Sequence, residues 1–246
     1  MEKFSLLAIF AHPDDETVVG PLLAKYAYEG HQVHLLTLTA GEKGFRKHTN
    51  IRAGPELAAL RARELACSAA QLGLTSHTLF HFPDQGFYTA GANDIWKQAV
   101  SSVRDAICHL TADVLITWGP EGGTGHLDHR ATNSIVVQAF QNRSLLRYKP
   151  RKLYYATFVE PDSAPAENWA AETRVSREFI ATDVDCSPFL SIAQQAIECY
   201  GSQWTSELMC RVPAICGLDQ GHVLLRLAYS TVTICASPET NVFAGL

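Results

Sequence analysis

Charged residues are scarce in this chain of 246 residues, at 18%, while apolar residues make up 47%. This balance excludes a disordered polypeptide, because a chain with so much apolar material can bury a sizeable core. Lys and Arg number 20 against 25 Asp and Glu, and no long basic run is present. We therefore expect no nucleic-acid partner, since such a partner requires clustered cations that bind phosphate.

Long apolar runs and paired cysteines are also lacking. No stretch approaches the ~18 apolar residues of a membrane helix, and the apolar segment 4–11 leads into a polar turn without a small-residue cleavage site. The seven cysteines are an odd number without a Cys-x-x-Cys pair, which favours free thiols. These absences predict a soluble, cytoplasmic protein without membrane insertion, and they leave a homo-oligomer possible.

Strand-like and helix-like segments alternate four times in the first part of the chain. The strand segments are 4–11, 33–39, 78–82 and 113–118, and the helical segments are 17–28, 55–72, 92–110 and 130–141. This alternation predicts an α/β fold, a Rossmann-like three-layer sandwich with a mostly parallel sheet and helices on both faces. We expect a single domain over 1–246, in which 4–145 form the core that carries the site.

The C-terminal part, 150–246, is expected to complete the sheet and cover the pocket. Its pattern is looser than that of the core. It predicts strands at 153–158, 178–184 and within 223–234, a helix at 187–202 and a long loop at 160–174.

The loop after the first strand carries an imidazole and three consecutive carboxylates, His12-Pro13-Asp14-Asp15-Glu16. Ligands of an open parallel sheet bind at the carboxyl ends of its strands, where this loop lies. One acid would suffice to cap the next helix. Three adjacent acids repel one another unless a cation offsets them, so on this loop alone a divalent metal site is as plausible as a simple helix cap.

The loop after the fourth strand contains a glycine-rich stretch and then His126-Leu127-Asp128-His129. Strands one and four are expected to be neighbours where the strand order reverses, so the two polar loops can face one crevice. Taken alone, the second loop is better explained as a surface-exposed helix start, with Asp128 as a favourable N-terminal acid. Two clusters of this composition at the carboxyl ends of core strands favour a shared site.

A catalytic zinc ion needs three protein ligands and keeps one position open. We assign His12, Asp15 and His129 as these ligands. Asp14 and His126 then remain as the base and the acid that hydrolysis of an amide or ester requires. Asp128 is expected to hold the ring of His126 and to keep it protonated.

Together, Ala11 to Glu16 and His126-x-Asp128-His129 resemble the LmbE-like, or PIG-L, deacetylases. These zinc-dependent enzymes remove an acetyl group from N-acetylglucosamine in conjugates, and the resemblance covers nearly all of 4–140. It implies the same three ligands, with the general base at Asp14 and the general acid at His126. It also implies that Arg61 and Asp84 contact the sugar, although structural ion pairing is nearly as plausible for both.

Some positions depart from the family pattern. Leu127 stands where proline is usual, Thr124 where some members carry a tyrosine that assists the oxyanion, and Tyr200 where many have histidine. The backbone N–H groups of 122–125 or the Tyr200 hydroxyl are candidate substitutes for the missing tyrosine. Trp118, inside an apolar strand, is assigned to the core. A basic stretch at 46–52 is either a solvated loop or a contact for an anionic part of the substrate.

The sequence therefore predicts a zinc-dependent or other metal-dependent hydrolase that removes the N-acetyl group from an N-acetylglucosamine-type conjugate by attack of activated water. One alternative is a metal-dependent amidase for another small amide, such as a thiol S-conjugate or an antibiotic intermediate. Another is a non-catalytic sugar- or nucleotide-binding protein. The binding protein is disfavoured because it would not need a spare base and acid beside a metal, and because no Gly-x-Gly-x-x-Gly follows the first strand.

Overall fold

The fold is taken from a computed structural model that describes residues 2–44, 50–160, 171–216, 218, 220–234 and 237–246. Within these ranges one sheet has seven strands, in the order β3-β2-β1-β4-β5-β7-β6. The strands are β1 (Ser5–Phe10), β2 (Gln32–Thr39), β3 (Ser76–Phe82), β4 (Val114–Trp118), β5 (Lys152–Ala156), β6 (Thr182–Asp185) and β7 (His222–Ser230). The first five pair in parallel, and β7 is antiparallel to β5 and β6.

Helices cover both faces of this sheet. They are α1 (Gly20–Tyr28), α2 (Pro55–Gln71), α3 (Ala92–His109), α4 (Leu127–Gln141), α5 (Leu190–Glu198) and α6 (Ser206–Ile215). Alternate residues of β1 point to opposite faces: Leu6 and Phe10 pack in the core layer that contains residues of α1, α2 and α5. Leu7 and Ile9 pack in the layer that contains residues of α3 and α4. The predicted α/β three-layer architecture is confirmed.

Several element boundaries differ from the sequence prediction. The predicted first helix begins as a 3-10 turn at Asp15–Val19, and α4 begins three residues early because His126 caps it and accepts the backbone N–H of Asp128. The predicted strand 178–184 is limited to β6, and the helix expected at 187–202 is shortened to α5. Helix α6 was not predicted at all. Most of the predicted loop 160–174 lies outside the described residues.

The cysteine prediction is wrong for one pair. Cys67 in α2 and Cys199 directly after α5 form a disulfide, with Cα atoms 5.9 Å apart, because these two helices pack against each other. The two cysteines are 132 residues apart in sequence, so the spacing of cysteines along the chain does not predict this disulfide. Four other described cysteines are free: Cys108, Cys186, Cys210 and Cys216. A cytoplasmic location, which rested partly on free thiols, stays a prediction.

The strand order explains where the site lies. The chain runs from β1 outward to β3 on one side and then from β4 outward on the other, so the order reverses between β1 and β4. A crevice therefore opens at the carboxyl ends of these two strands. Across the described part of the chain, we find no helix with the length and apolar character to cross a membrane.

Candidate metal centre and active site

The two polar loops of the sequence analysis meet at the β1–β4 crevice. Strands β1 and β4 are paired in parallel from Leu6↔Val114 to Ile9↔Thr117, which brings the loops that follow them side by side. The ring of His12 lies 4.8 Å from the ring of His126 and 5.3 Å from that of His129, centroid to centroid. All three rings line a cavity of about 700 Å³.

The three residues predicted as metal ligands lie close together. The Nδ1 atom of His12 is 3.3 Å from Nε2 of His129, which is 3.1 Å from Oδ1 of Asp15. His12 Nδ1 is 3.7 Å from the other oxygen of Asp15. Ligand atoms placed tetrahedrally 2.0–2.2 Å from a zinc ion are about 3.4 Å apart, so the spacing suits one such ion.

The hydrogen bonds of the two rings leave their lone pairs facing each other. His129 Nδ1 is 3.0 Å from the carbonyl oxygen of Gly122, to which it can only donate, so Nε2 carries the lone pair in the neutral ring. His12 Nε2 lies 3.2 Å from Asp128 and 3.3 Å from Asp84 and donates to these carboxylates, so Nδ1 carries the lone pair. Two lone pairs beside a carboxylate form a set of donors that suits a bound cation.

The electrostatics of the site agree with this interpretation. Burial alone would lower the pKa of His12. The carboxylates of Asp128 and Asp84 and the charge of Asp15 together outweigh burial and raise this pKa to about 10. Burial raises the pKa of Asp15, but the neighbouring His129 and His12 outweigh it and hold that pKa well below its ordinary value. The surrounding carboxylates therefore stabilise a positive charge at the His12 ring, and a bound metal ion would supply such a charge.

Asp15 is fixed through its second oxygen. Oδ2 accepts the backbone N–H groups of Ala11 and His12 at 3.0 and 2.9 Å and the indole N–H of Trp118 at 3.1 Å. Trp118 also stacks on His129, with ring centroids 4.5 Å apart and planes within 5°. The sequence analysis assigned Trp118 to the core. Its position as the last residue of β4 was the available signal that it also supports the site.

Other groupings in the described part of the chain could also hold a cation. One combines His12, His126 and His129, and another combines His12, Asp84 and Asp128. In the first, His126 would replace Asp15, but its Nδ1 already accepts the backbone N–H of Asp128 at 3.1 Å. In the second, His12 already donates to both acids through Nε2.

Asp14 lies at the cavity wall in a left-handed backbone conformation, with φ of 106°. Such a conformation is costly for a residue other than glycine and is often found at functional sites. Arg61 of α2 contacts the Asp14 carboxylate at 3.2 Å and also donates to the carbonyls of Gly41 and Pro13. Burial raises the pKa of Asp14 to about 7, although the Arg61 guanidinium opposes the rise.

Arg61 and Asp84 were expected on the substrate, and the structure gives both of them partners inside the protein. Arg61 is only 3% exposed and is bound to the Asp14 loop, as described above. Asp84 is 2% exposed; Oδ1 faces His12, and Oδ2 accepts the backbone N–H of Lys43 at 2.8 Å. Both still touch the cavity wall. These contacts favour roles in positioning His12 and Asp14.

Asp128 also differs from its expected placement. Its carboxylate does not hold the ring of His126 but lies against His12 and accepts the backbone N–H of Gln85 at 2.8 Å. The partner of His126 is the backbone N–H of Asp128. Burial, followed by the charges of His12 and His129, lowers the pKa of His126.

Two of the positions that depart from the family pattern, Thr124 and Tyr200, have different surroundings. Thr124 lines the cavity. Tyr200, a candidate oxyanion donor, is fully buried and donates its hydroxyl to Glu16 at 2.5 Å, so it does not reach the cavity. Glu16 in turn accepts the backbone N–H of Asp14 at 3.2 Å and therefore supports the metal loop. The basic stretch falls mainly on residues 45–49, outside the described ranges.

Comparison with known protein sequences identifies a family. Residues 7–140 match the family PIG-L, described as GlcNAc-PI de-N-acetylase. A 1D-myo-inositol 2-acetamido-2-deoxy-alpha-D-glucopyranoside deacetylase 2 of Catenulispora acidiphila is 34% identical over 57% of this chain and 52% of its own length. The 1D-myo-inositol 2-acetamido-2-deoxy-alpha-D-glucopyranoside deacetylase of Acidothermus cellulolyticus is 34% identical over 76% of this chain and 69% of its own length.

Comparison of folds gives a consistent result. The N,N'-diacetylchitobiose deacetylase of Pyrococcus horikoshii superimposes with a TM-score of 0.68 over 92% of this chain and 84% of that one. At 17% identity this likeness concerns the fold alone. The family match covers more than half of the 246 residues and includes both polar loops, 12–16 and 126–129. From the family match and the sequence relatives together, the chain belongs to the PIG-L family of de-N-acetylases.

Proposed function

We propose that the protein is a metal-dependent hydrolase that removes the N-acetyl group from an amino sugar conjugate. The observation that carries the proposal is the convergence of three lone pairs, on His12 Nδ1, Asp15 Oδ1 and His129 Nε2, at a cavity that Asp14 and His126 also line. The relatives described above are named for acting on a 2-acetamido sugar linked to inositol, so that conjugate is the first substrate to test.

His12, Asp15 and His129 would hold the ion, which is zinc or another divalent metal. A divalent ion in such a site lowers the pKa of bound water and polarises a carbonyl oxygen. Asp15 is preferred over His126 as the third ligand because Trp118 and two backbone N–H groups hold its carboxylate against His129. The carboxylates of Asp84 and Asp128 orient His12 and increase the electron density of its ring.

Asp14 is the proposed general base. It takes a proton from water while the water oxygen adds to the carbonyl carbon of the amide. The C–N bond then breaks, its electron pair leaves with nitrogen, and Asp14 returns the proton to that nitrogen. The products are acetate and the free amine. Arg61 and the Asp14 N–H bond to Glu16 position the carboxylate for this transfer.

The sequence predicts His126 as the general acid, and we assign it a different role. Because a backbone N–H can only donate, Nδ1 of His126 must accept the bond from Asp128, and a neutral ring then carries its proton on Nε2. Adding a second proton at Nδ1 would break that bond. We therefore propose that neutral His126 donates from Nε2 to the oxyanion that develops on the carbonyl, in the place of a tyrosine at position 124.

The test is acetate release from N-acetylglucosamine conjugates by metal-depleted protein before and after zinc is restored. We expect release only with metal present, and a loss of turnover in Asp14→Asn protein that still contains metal. An amidase for a different small amide would leave these sugars intact and would require a new substrate assignment. A binding protein would bind the sugar without releasing acetate, and that result would refute the proposed activity.

A further inference from the structure

The cavity at the metal centre is larger than hydrolysis of an acetamido group requires. Its volume of about 700 Å³ lies in the range that holds a whole drug-sized ligand. An acetyl group contributes a single methyl group beyond the scissile carbonyl. Most of the cavity must therefore accommodate other parts of the substrate, and its wall indicates which parts these are.

One side of the cavity is polar. Lys43 and Gly44 come from the loop after β2, and Asp84 and Gln85 from the loop after β3, so these residues lie on the β2–β3 side of the β1–β4 crevice. Gln203 adds a side-chain amide to the lining. Such donors and acceptors suit the hydroxyl groups of a sugar.

The other side is apolar and is formed by Val18 together with residues of α6 and its C-terminal end. Leu208, Val212 and Cys216 recur every four residues and therefore form one stripe along the helix. The backbone N–H of Cys216 still bonds to the carbonyl of Val212, so the stripe is helical throughout and about 12 Å long. We call Val18, Leu208, Val212 and Cys216 the apolar arm.

The apolar arm runs away from the polar side. Val18 and Cys216 also line a smaller cavity of about 50 Å³ beside β5 and β7, which lie on the side of the crevice opposite to β2 and β3. Met209 and Val212 anchor α6 on Ile197 of α5, which leaves Leu208 half-buried at the cavity. Burial raises the pKa of the Cys216 thiol to about 12, so at neutral pH this thiol is uncharged.

We propose that the apolar arm binds the acyl chain, and that the protein hydrolyses N-acyl amino sugars whose linear acyl chain is longer than acetyl. The proposal rests on the proposed function, because the amide must lie at the metal ligands between the two sides. A sugar requires the polar side for its hydroxyl groups. The acyl chain, on the other side of the amide, then extends along the stripe of α6. The bond broken is the same amide bond, and the products are a fatty carboxylate and the amine.

The experiment compares acetyl, butanoyl, hexanoyl and octanoyl amides of one amino sugar, with zinc-loaded protein and kcat/KM as the readout. Each methylene buried contributes about 0.8 kcal/mol, so we expect kcat/KM to rise about fourfold per added methylene until the arm is filled. A second series keeps the acetyl group and lengthens an alkyl chain on the sugar's anomeric oxygen. We expect no comparable rise in that series.

The outcomes separate this proposal from the proposed function. Hydrolysis of the acetyl compound without a gain from longer acyl chains overturns the apolar arm alone. A gain that follows the alkyl aglycone instead shows that the arm binds the aglycone and overturns the acyl assignment. Absence of hydrolysis throughout both series refutes the proposed function, and the acyl assignment with it.

A pair of variants on the same helix tests which residues form the arm. Leu208→Ser should lower the ratio of hexanoyl to acetyl kcat/KM by about tenfold, because it removes an apolar contact with the chain. Cys210→Ser, at an exposed position of α6, should leave the ratio as in the wild type. Thermal melting checks that both variants are folded. An unchanged ratio in folded Leu208→Ser protein would contradict the assignment of the arm.

Discussion

Replacing His126 with asparagine tests the proposed hydrogen bond to the oxyanion. Asparagine is a good N-cap residue, so it can still accept the backbone N–H of Asp128 that the His126 ring accepts at 3.1 Å. Its side chain is too short to place a donor where Nε2 lies. Loss of one oxyanion donor costs about 2.7–4 kcal/mol, so we expect kcat to fall by about 10²- to 10³-fold with the metal retained.

The size of this effect does not by itself distinguish a hydrogen-bond donor from a general acid, whose loss costs about 10²- to 10⁴-fold. The pH dependence of kcat/KM does. A neutral His126 keeps its Nε2 proton as the pH rises, so the profiles of wild type and His126→Asn should have the same shape. An alkaline decline in the wild type that disappears in the variant would show that His126 acts as a general acid and would refute our assignment.

Four further predictions concern the base, its arginine partner, the oxyanion and the disulfide. Asp14→Asn should lower turnover by about 10²- to 10⁴-fold with metal retained. Arg61→Gln should shift the acidic limb of the rate profile to higher pH. Loss of the guanidinium raises the pKa of Asp14 above its value of about 7, and the base works only when it is deprotonated. Thr124→Ala should change turnover by less than about tenfold, because we assign the hydrogen bond to the oxyanion to His126. A larger loss with metal retained would make the threonine an essential donor. Replacing both Cys67 and Cys199 with serine should lower the free energy of unfolding by about 2–5 kcal/mol in urea titrations, whereas unchanged stability would show that the crosslink contributes nothing.

The sequence was sufficient for the fold of the first 141 residues because strand and helix patterns there are strong and local. The same reasoning missed α6. This helix is short, contains Pro213, and is held mainly by the packing of Met209 and Val212 on α5. Contacts between distant segments decide whether such a segment is helical. The apolar wall of the cavity could therefore not be read from the sequence.

The candidate metal ligands could be predicted because two compact motifs carry them, and parallel strands bring such loops together. The partners of the neighbouring acids could not. Asp128 is adjacent to His126 in the motif, yet its carboxylate lies on His12, which is 116 residues away. Asp84 reaches the same ring from the loop after β3. Which acid orients which histidine depends on side-chain directions that appear only once the sheet is assembled.

Zinc affinity of the ligand variants tests the central claim most directly. The measurement is competition with a chromogenic chelator for zinc, applied to His12→Ala, Asp15→Ala and His129→Ala, with His126→Asn as the matched control in the same site. The account predicts that the first three lose zinc to the chelator while the control retains it as the wild type does. Retention of zinc by folded Asp15→Ala protein, together with its loss from His126→Asn, would assign the third ligand to His126 and contradict the account.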